Sequence, residues 1–178
     1  MTKVLTFLQL LILAMLFAES AFAAPADDFV ITVKTDNQGT STNTQFTVPV
    51  YDKALPLGYN FNVDCNDDGT NETTGQTGQY ICSYSTPGTY TVRIKDNSGV
   101  GTGYPQVHFN ARLDAKKLLT IVQWGTGKWV SMQDAFMGCT NLIGSSTIDA
   151  PDLSSVTLMT SMFRNSSFNQ DINSWYGE

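Results

Sequence analysis

The sequence predicts a mainly β protein, in which an antiparallel β-sandwich is followed by the start of a stack of short repeats. Three observations lead to this prediction. Between residues 29 and 110, short runs alternate apolar and polar residues, and Gly, Pro and Asn lie between the runs. A motif containing Met132 and Phe136 returns at Met159 and Phe163 with the same spacing for both residues, as in stacked repeats. The N-terminus also has the pattern of an export signal.

Residues 1–23 are predicted to be a signal peptide that is removed from the mature chain. Lys3 supplies a positive charge ahead of an apolar run at residues 4–17, and Ala21-Phe22-Ala23 is a small-x-small cleavage sequence. The alternative is an uncleaved membrane anchor, but the apolar run is short for a membrane span, so we expect none in the mature chain. We therefore expect cleavage near Ala23 and a protein that is secreted or held at the cell surface.

The charge balance narrows the classes of partner. The chain carries 10 Lys and Arg against 16 Asp and Glu, which gives a net charge of −6. Nucleic acids and anionic membrane surfaces both bind clustered Lys and Arg. We therefore predict no nucleic-acid partner, and the balance fits a soluble exported protein.

The first predicted domain is an antiparallel β-sandwich over residues 24–110. The run at residues 59–64 alternates strictly between aromatic or Val residues and polar ones, and no stretch of this region has a helical apolar period. Short strands at such spacing, separated by turn residues, are typical of sandwiches. The predicted strands are residues 29–34, 44–48, 59–64, 79–84, 89–94 and 107–109.

Three cysteines in an exported chain favour a disulfide. Cys65 and Cys82 are close in sequence and flank a Gly- and Thr-rich stretch, whereas Cys139 lies in the repeat region. We predict a disulfide between Cys65 and Cys82, with Cys139 buried and free. The alternative is that all three are small buried hydrophobic residues.

The segment at residues 87–94, Pro-Gly-Thr-Tyr-Thr-Val-Arg-Ile, resembles a late strand of PKD-like domains of the immunoglobulin type. The loop at residues 64–69 takes the place of the Asp- and Gly-rich turn of those domains. The resemblance implies an immunoglobulin-like fold that serves as a spacer or adhesion module.

The same loop contains a candidate calcium site. Asp64, Asn66 and Asp68 alternate ahead of Gly69, and Glu72 follows in the ninth position of the pattern. Calcium binds several oxygen ligands, which alternate side chains of a tight loop can supply. The twelfth position, a bidentate Glu in an EF-hand, is glycine here, and no helix pattern flanks the loop. The alternative is a solvated turn in which Asp and Asn favour the backbone conformation.

The second predicted domain covers residues 111–178, where an extended segment, a turn and a short helix recur. Residues 118–124 form a dense apolar strand candidate, and short helices are predicted at residues 129–136 and 156–163. Periodicity places the apolar residues of the motif in the core instead of on a contact surface. These core residues are Met132, Phe136, Leu142, Met159, Met162, Phe163, Phe168, Ile172 and Trp175.

Residues 156–163, Val-Thr-Leu-Met-Thr-Ser-Met-Phe, are followed by Phe-Asn-Gln-Asp-Ile-Asn-Ser-Trp at residues 168–175. This pattern resembles the repeat of the BspA-like leucine-rich-repeat surface proteins, and residues 124–142 resemble the first repeat of such an array. The resemblance implies a bacterial surface or secreted protein whose repeat solenoid binds another macromolecule, with adhesion as the usual role.

The repeat array is expected to be truncated. The loop after Phe163 is one residue shorter than the loop after Phe136, and no segment with a polar outer face follows the second copy. A stack of repeats without such a cap leaves apolar surface exposed. Either the sequence is a fragment of a longer protein, or its last repeat frays.

No motif indicates catalysis. The single histidine, His108, has no partner at the spacing of a metal site or a triad, and phosphate loops, CxxC pairs and hydrolase motifs are absent. We predict that the protein is not an enzyme and that it needs no cofactor unless calcium binds. The predicted function is that of an adhesin-like binding protein. The alternatives are a structural stalk or remnant without binding activity and, third, a secreted hydrolase whose two carboxylates meet in space.

Overall fold

The computed structural model describes residues 27–52, 58–144 and 149–175, so the predicted signal peptide at residues 1–23 lies outside the described part. The chain is mainly β, as predicted, and the described residues contain no α-helix. Two short 3₁₀ turns occur, at Ala115–Lys117 and Asn173–Trp175. The strands are β1 Phe29–Lys34, β2 Gln45–Val48, β3 Phe61–Asp64, β4 Thr73–Gln76, β5 Tyr80–Ser83, β6 Thr89–Asp96 and β7 Leu118–Gln123.

The strands form two antiparallel sheets. The larger sheet has five strands in the order β4-β3-β6-β1-β7, and the smaller one pairs β2 with β5. In the larger sheet, Ile31 of β1 lies opposite Val92 of β6 on one side and Ile121 of β7 on the other. All three side chains are buried, and so are Phe46 and Val48 of β2 in the same core. Alternation of apolar residues thus covers the inner faces of both sheets.

The Cys65–Cys82 disulfide joins the two sheets. Cys65 directly follows β3 of the larger sheet, and Cys82 lies within β5 of the smaller one, with a Cα–Cα distance of 5.6 Å. Cys139 is free and buried. The pairing predicted from cysteine spacing and compartment is therefore confirmed, and it ties the end of β3 in the larger sheet to β5 in the smaller one.

Strand β7 connects the sandwich to the repeat region. Its register places Thr120 opposite Thr32 of β1, and the two hydroxyl groups are hydrogen-bonded. The predicted domain boundary at residues 110 and 111 therefore falls between two strands of one sheet. Aromatic packing is also continuous across it, because the ring of Phe29 in β1 meets that of Trp129 edge to face at 5.1 Å.

One predicted strand is absent, and one observed strand was not predicted. Residues 107–109 are not a strand, because their backbone instead joins the stacked segments described below. Strand β4 was not predicted, since Thr73-Thr-Gly-Gln has no apolar residue and no alternation. This short strand forms at the sheet edge by pairing with β3, and pairing is a tertiary property.

The predicted short helices are also wrong. Residues 129–136 and 156–163 have no helical assignment, and each contains a residue with left-handed backbone, Asp134 (φ 53°) and Ser161 (φ 59°). A right-handed helix cannot include such a residue. The spacing that suggested helices instead reflects tight turns, in which Met132, Ala135, Phe136 and Cys139 are buried and the residues between them are less so.

Candidate functional site

The residues after β6 include three similar segments that stack on one another. We call residues 105–112 the first coil, residues 130–139 the second coil and residues 158–166 the third coil. Phe109, Phe136 and Phe163 occupy equivalent positions in the three coils, at one constant spacing along the chain. The left-handed residues Ala111, Gly138 and Asn165 share this spacing (φ 54°, 78° and 56°).

Most backbone hydrogen bonds between coils run from one coil to the next, whereas the N–H of Val130 donates back to the carbonyl of Pro105 at 2.9 Å. In the first coil, the N–H groups of Phe109 and Ala111 donate to the carbonyls of Ala135 and Met137, at 3.0 and 2.8 Å. In the second coil, four alternate residues donate to the third. These bonds are Met132 to Leu158 at 2.8 Å, Asp134 to Thr160 at 2.9 Å, Phe136 to Met162 at 2.8 Å and Gly138 to Arg164 at 2.9 Å.

The carbonyl groups of the donating residues accept hydrogen bonds within their own coil, and that of Asp134 also accepts the N–H of Asn110 in the first coil at 3.1 Å. The carbonyls of Met132, Asp134 and Phe136 accept hydrogen bonds from the residues three positions later, at 3.2 to 3.3 Å. The third coil repeats this pattern, with Met159, Ser161 and Phe163 accepting from Met162, Arg164 and Ser166 at 3.1 to 3.2 Å. In the second and third coils, these alternate residues therefore direct only their N–H groups, and not their carbonyl groups, toward the next coil.

The third coil leaves this row of donors open. The N–H groups of Met159, Ser161, Phe163 and Asn165 have no hydrogen-bond partner in the part of the chain that the structure describes. They are the equivalents, one repeat later, of the four donating residues of the second coil. We call these four N–H groups the donor edge. Successive N–H groups that face one way make a partially positive surface suited to oxygen acceptors.

Apolar side chains flank the donor edge. Leu158 and Met159 are exposed at 51% and 46%, so the predicted core position of Met159 is wrong, whereas Met162 is buried as predicted. The ring of Phe168 stacks on that of Phe163 with centroids 4.1 Å apart and thereby covers it. Phe168 of the same chain thus covers the last ring of the stack Phe136–Phe163, while the N–H donors beside it have no partner among the described residues.

The predicted calcium loop has its carboxylates engaged with protein donors. Asp64 is buried and accepts the N–H groups of Asp68 and Gly69 at 3.2 and 3.0 Å. Glu72 accepts the N–H of Cys65 at 2.6 Å, and Asn66 donates to Asp68 at 3.0 Å. These bonds stabilise the turn without a cation.

Basic side chains also approach this loop. The ammonium of Lys95 lies 3.2 Å from the Asp64 carboxylate, and Arg93 reaches Asp67 at 2.7 Å. Hydrogen bonds from the N–H of Thr70 and, with a smaller effect, from the side-chain amide of Asn66 lower the pKa of Asp68. Within the described ranges, no group of three or more His, Cys, Asp or Glu side chains is placed to hold a metal. Calcium binding by Asp64, Asn66, Asp68 and Glu72 stays a prediction.

His108 lies between the sandwich and the second coil. Its ring meets that of Tyr51 edge to face at 4.7 Å, and its Nε2 is 4.0 Å from an Asp134 carboxylate oxygen. Burial lowers the pKa of His108, and the nearby Asp134 opposes that shift. This histidine packs the interface of two segments.

A buried cluster that the sequence did not reveal anchors the 3₁₀ turn to the sandwich. The Asp114 carboxylate accepts the N–H groups of Thr40, Ser41 and Thr47 at 2.7 to 3.1 Å. The ammonium of Lys117 donates to the carbonyls of Ser41, Thr42 and Gln45 at 2.7 to 3.2 Å. Asp-x-x-Lys is common on protein surfaces, so no sequence signal marks this pair as buried. Its role is structural, since backbone groups satisfy both charges.

Comparison with known proteins adds one match. Residues 107–177 match the family model described as "Mycoplasma protein of unknown function, DUF285". The match starts in the first coil and extends past the third coil. No curated protein and no solved structure matches the chain. In the described residues, no helix has the length and apolar character needed to cross a membrane.

Proposed function

We propose that this protein is an exported, adhesin-like binding protein whose stacked coils present a surface to a protein or another cell-surface macromolecule. The donor edge is the observation that carries the proposal. Four aligned N–H groups lie beside the exposed side chains of Leu158 and Met159, so the surface combines polar donors with apolar area. Such combinations are typical of surfaces that bind other proteins.

We further propose that the coils are the start of a BspA-like leucine-rich-repeat array on a PKD-like or immunoglobulin-like sandwich. The recurrence of hydrogen bonds and of phenylalanines at one constant spacing supports the array. The two antiparallel sheets and the disulfide between them support the sandwich. The predicted signal peptide and this disulfide both favour a location outside the cytoplasm.

We propose that the protein is not an enzyme, because several of its carboxylates are occupied in holding loops. Asp96 illustrates this: its two oxygens accept the N–H groups of Ser98, Gly99, Gly101 and Gly103 at 2.6 to 3.2 Å. These bonds lower the pKa of Asp96 even though burial acts in the opposite direction. A carboxylate held in this way favours its charged form and a structural role.

Binding of the exported chain to immobilised host matrix proteins and cell surfaces would test the function, with biolayer interferometry as readout. We expect the double variant Leu158→Glu, Met159→Glu to bind more weakly. Val100→Glu is the matched control, since Val100 is 64% exposed on the loop after β6. An equal loss of binding in the double variant and in the control would show that the coils are not the binding surface. Absence of any binding by the unmodified chain would favour the structural stalk.

A further inference from the structure

We propose that a cavity between the smaller sheet and the first coil binds one neutral sugar ring, such as a hexose unit of a glycan. The cavity lies beside the first coil, whereas the donor edge belongs to the third, so this site goes beyond the proposed function. Its volume is about 150 Å³, and a cavity of about that size accommodates a six-membered ring such as benzene.

The polar side chains that line the cavity come from three separate parts of the chain. They are Asp52 after β2, Gln79 before β5, and Asn110 and Arg112 in the first coil. In the part of the chain that the structure describes, none of these four side chains has a hydrogen bond or an ion pair with another residue. By contrast, the Asp96 carboxylate accepts four backbone N–H groups of its own loop. Donors and acceptors thus converge on this cavity without protein partners among the described residues.

The first coil departs from the repeat beside the cavity. At the constant spacing of the coils, His108 takes the position of Ala135 and Met162, which are both buried apolar residues. Arg112 takes the position of Cys139, which is also buried. Packing of the stack therefore does not require a histidine and an arginine at these positions. Both side chains line the cavity instead.

The backbone of the first coil is also unusual beside the cavity. Asn110 and Leu113 have left-handed backbone, with φ 49° and 50°. The residues at the equivalent positions of the second and third coils do not have positive φ. Such conformations cost free energy for residues other than glycine and concentrate at ligand sites. Here they shape the segment that brings Asn110 and Arg112 to the cavity.

Charges of both signs favour a neutral ligand. Burial lowers the pKa of His108, the carboxylates of Asp134 and Asp52 oppose that shift, and the guanidinium of Arg112 adds to it. An ion of either sign would be repelled by one of these groups. A hydroxyl group can instead donate to the Asp52 carboxylate or accept from the Arg112 guanidinium.

Apolar side chains complete the cavity. Val50 and Phe109 are buried, Leu113 is half-buried, and all three line it. A small number of polar groups set against apolar side chains is typical of ligand pockets. A sugar ring matches this arrangement, because its hydroxyl groups meet the polar side chains while its C–H groups pack on the apolar ones.

The probes are the methyl glycosides of glucose, galactose, mannose and N-acetylglucosamine. Each is titrated into the isotope-labelled exported chain and followed by amide NMR. We expect at least one of them to shift the amides of Gln79, Asn110 and Arg112 in a saturable manner. Glycerol, which has hydroxyl groups but no ring, is the control and should cause no such shift. No saturable shift with any of the four glycosides would overturn the inference.

Two arginine variants separate the cavity from the rest of the surface. Arg112→Ala removes a guanidinium from the cavity, whereas Arg164→Ala removes an exposed one from the third coil. We expect the glycoside to bind about tenfold more weakly to Arg112→Ala, because a hydrogen bond to a charged group is lost. Its affinity for Arg164→Ala should be unchanged. Equal affinities would overturn the inference. Circular dichroism checks both folds, and if Arg112→Ala unfolds, Asp52→Ala replaces it with the same expectation.

Charged sugars test the neutrality of the ligand. Glucuronate and N-acetylneuraminate present a carboxylate on a six-membered ring. If only these two shift the amides of Gln79, Asn110 and Arg112, the cavity binds an anion and the inference is overturned.

This proposal and the proposed function fail in different ways. If the chain binds matrix proteins or cells but no glycoside shifts the cavity amides, the sugar site is wrong and the binding function stands. If a glycoside binds but no macromolecule does, the function is wrong and the sugar site stands. The double variant Leu158→Glu, Met159→Glu should keep the glycoside affinity, since the cavity does not involve the third coil.

Discussion

The rings of Phe136 and Phe163 lie nearly parallel, with centroids 5.4 Å apart and planes inclined by 11°. On the opposite side, Phe109 lies 6.4 Å from Phe136. A constant spacing of phenylalanines in the sequence thus becomes a column of rings through the stack. Phe136 is the middle member and is fully buried, so it connects the coils that precede and follow it.

Replacing the middle ring should destabilise the fold more than replacing the outer one. We expect Phe136→Ala to lower the free energy of unfolding by about 3–5 kcal/mol, because it leaves a cavity among packed rings. Phe163→Ala should cost less, since Phe163 is only partly buried. Urea denaturation followed by tryptophan fluorescence measures both. Equal losses in the two variants would contradict a column anchored at Phe136.

Gly138 in the second coil should not tolerate a side chain. A Cβ there would lie 2.6 Å from the Cα of Ala111, and its φ is +78°. Gly99 has a similar φ of +75° but nothing within 4 Å. Gly99→Ala should cost about 1–2 kcal/mol for left-handed backbone. Gly138→Ala should cost about 1–3 kcal/mol more, from the contact with Ala111. Similar melting temperatures of the two variants would refute the close approach.

The disulfide should contribute measurably to stability. Cys65 and Cys82 are 17 residues apart, and closing a loop of about 15 residues is worth about 3 kcal/mol through the unfolded state. We expect the double variant Cys65→Ala, Cys82→Ala to lose about this much in chemical denaturation. A reducing agent should destabilise the unmodified chain and Cys139→Ala but leave the double variant unchanged. A response of the double variant to reductant would point to another cause.

His108 should make stability depend on pH. Burial lowers the pKa of His108 below its usual 6.5, so the unfolded chain binds a proton more readily than the folded one. The free energy of unfolding should therefore fall as the pH drops from about 6.5 toward the lower folded-state pKa, and His108 should add no slope above about 6.5. Unfolding curves of the unmodified chain and His108→Gln between pH 5 and 8 (roughly the titration range of histidine) measure this. Parallel pH profiles would show that His108 is not responsible.

The calcium hypothesis predicts a higher melting temperature in calcium than in EDTA. Binding to the folded state adds stability by mass action, about 2.7 kcal/mol at a ligand concentration of about 100 Kd. Asp68→Asn should abolish the difference, because the amide lacks the charge that a hard cation prefers. Thr70→Ala is the control, since it changes the same loop without removing a carboxylate. An unchanged midpoint in calcium and EDTA would count against the site.

Six of the seven strands could be predicted because each carries its own pattern. Strand β1 was placed at residues 29–34 as found, since Val, Ile and Thr in alternation favour a half-buried strand. Strand β4 lacks such a pattern and exists through its pairing with β3. The donor edge could not be predicted either, because the local spacing of Met159, Met162 and Phe163 also fits a helix. Only the left-handed backbone at Asp134 and Ser161 distinguishes the two, and a non-glycine residue gives little local signal of it.

The sequence by itself determined the mainly β class, most strands, the Cys65–Cys82 pair and the recurrence of the Met and Phe motif, because these depend on local alternation and on spacing along the chain. The tertiary structure decided that β7 joins the larger sheet beside β1 and that residues 105–112 form a first coil. It also decided that a row of N–H groups on the third coil has no partner within residues 27–52, 58–144 and 149–175. These features depend on which backbone groups meet in space, and a backbone group has the same chemistry at nearly every residue.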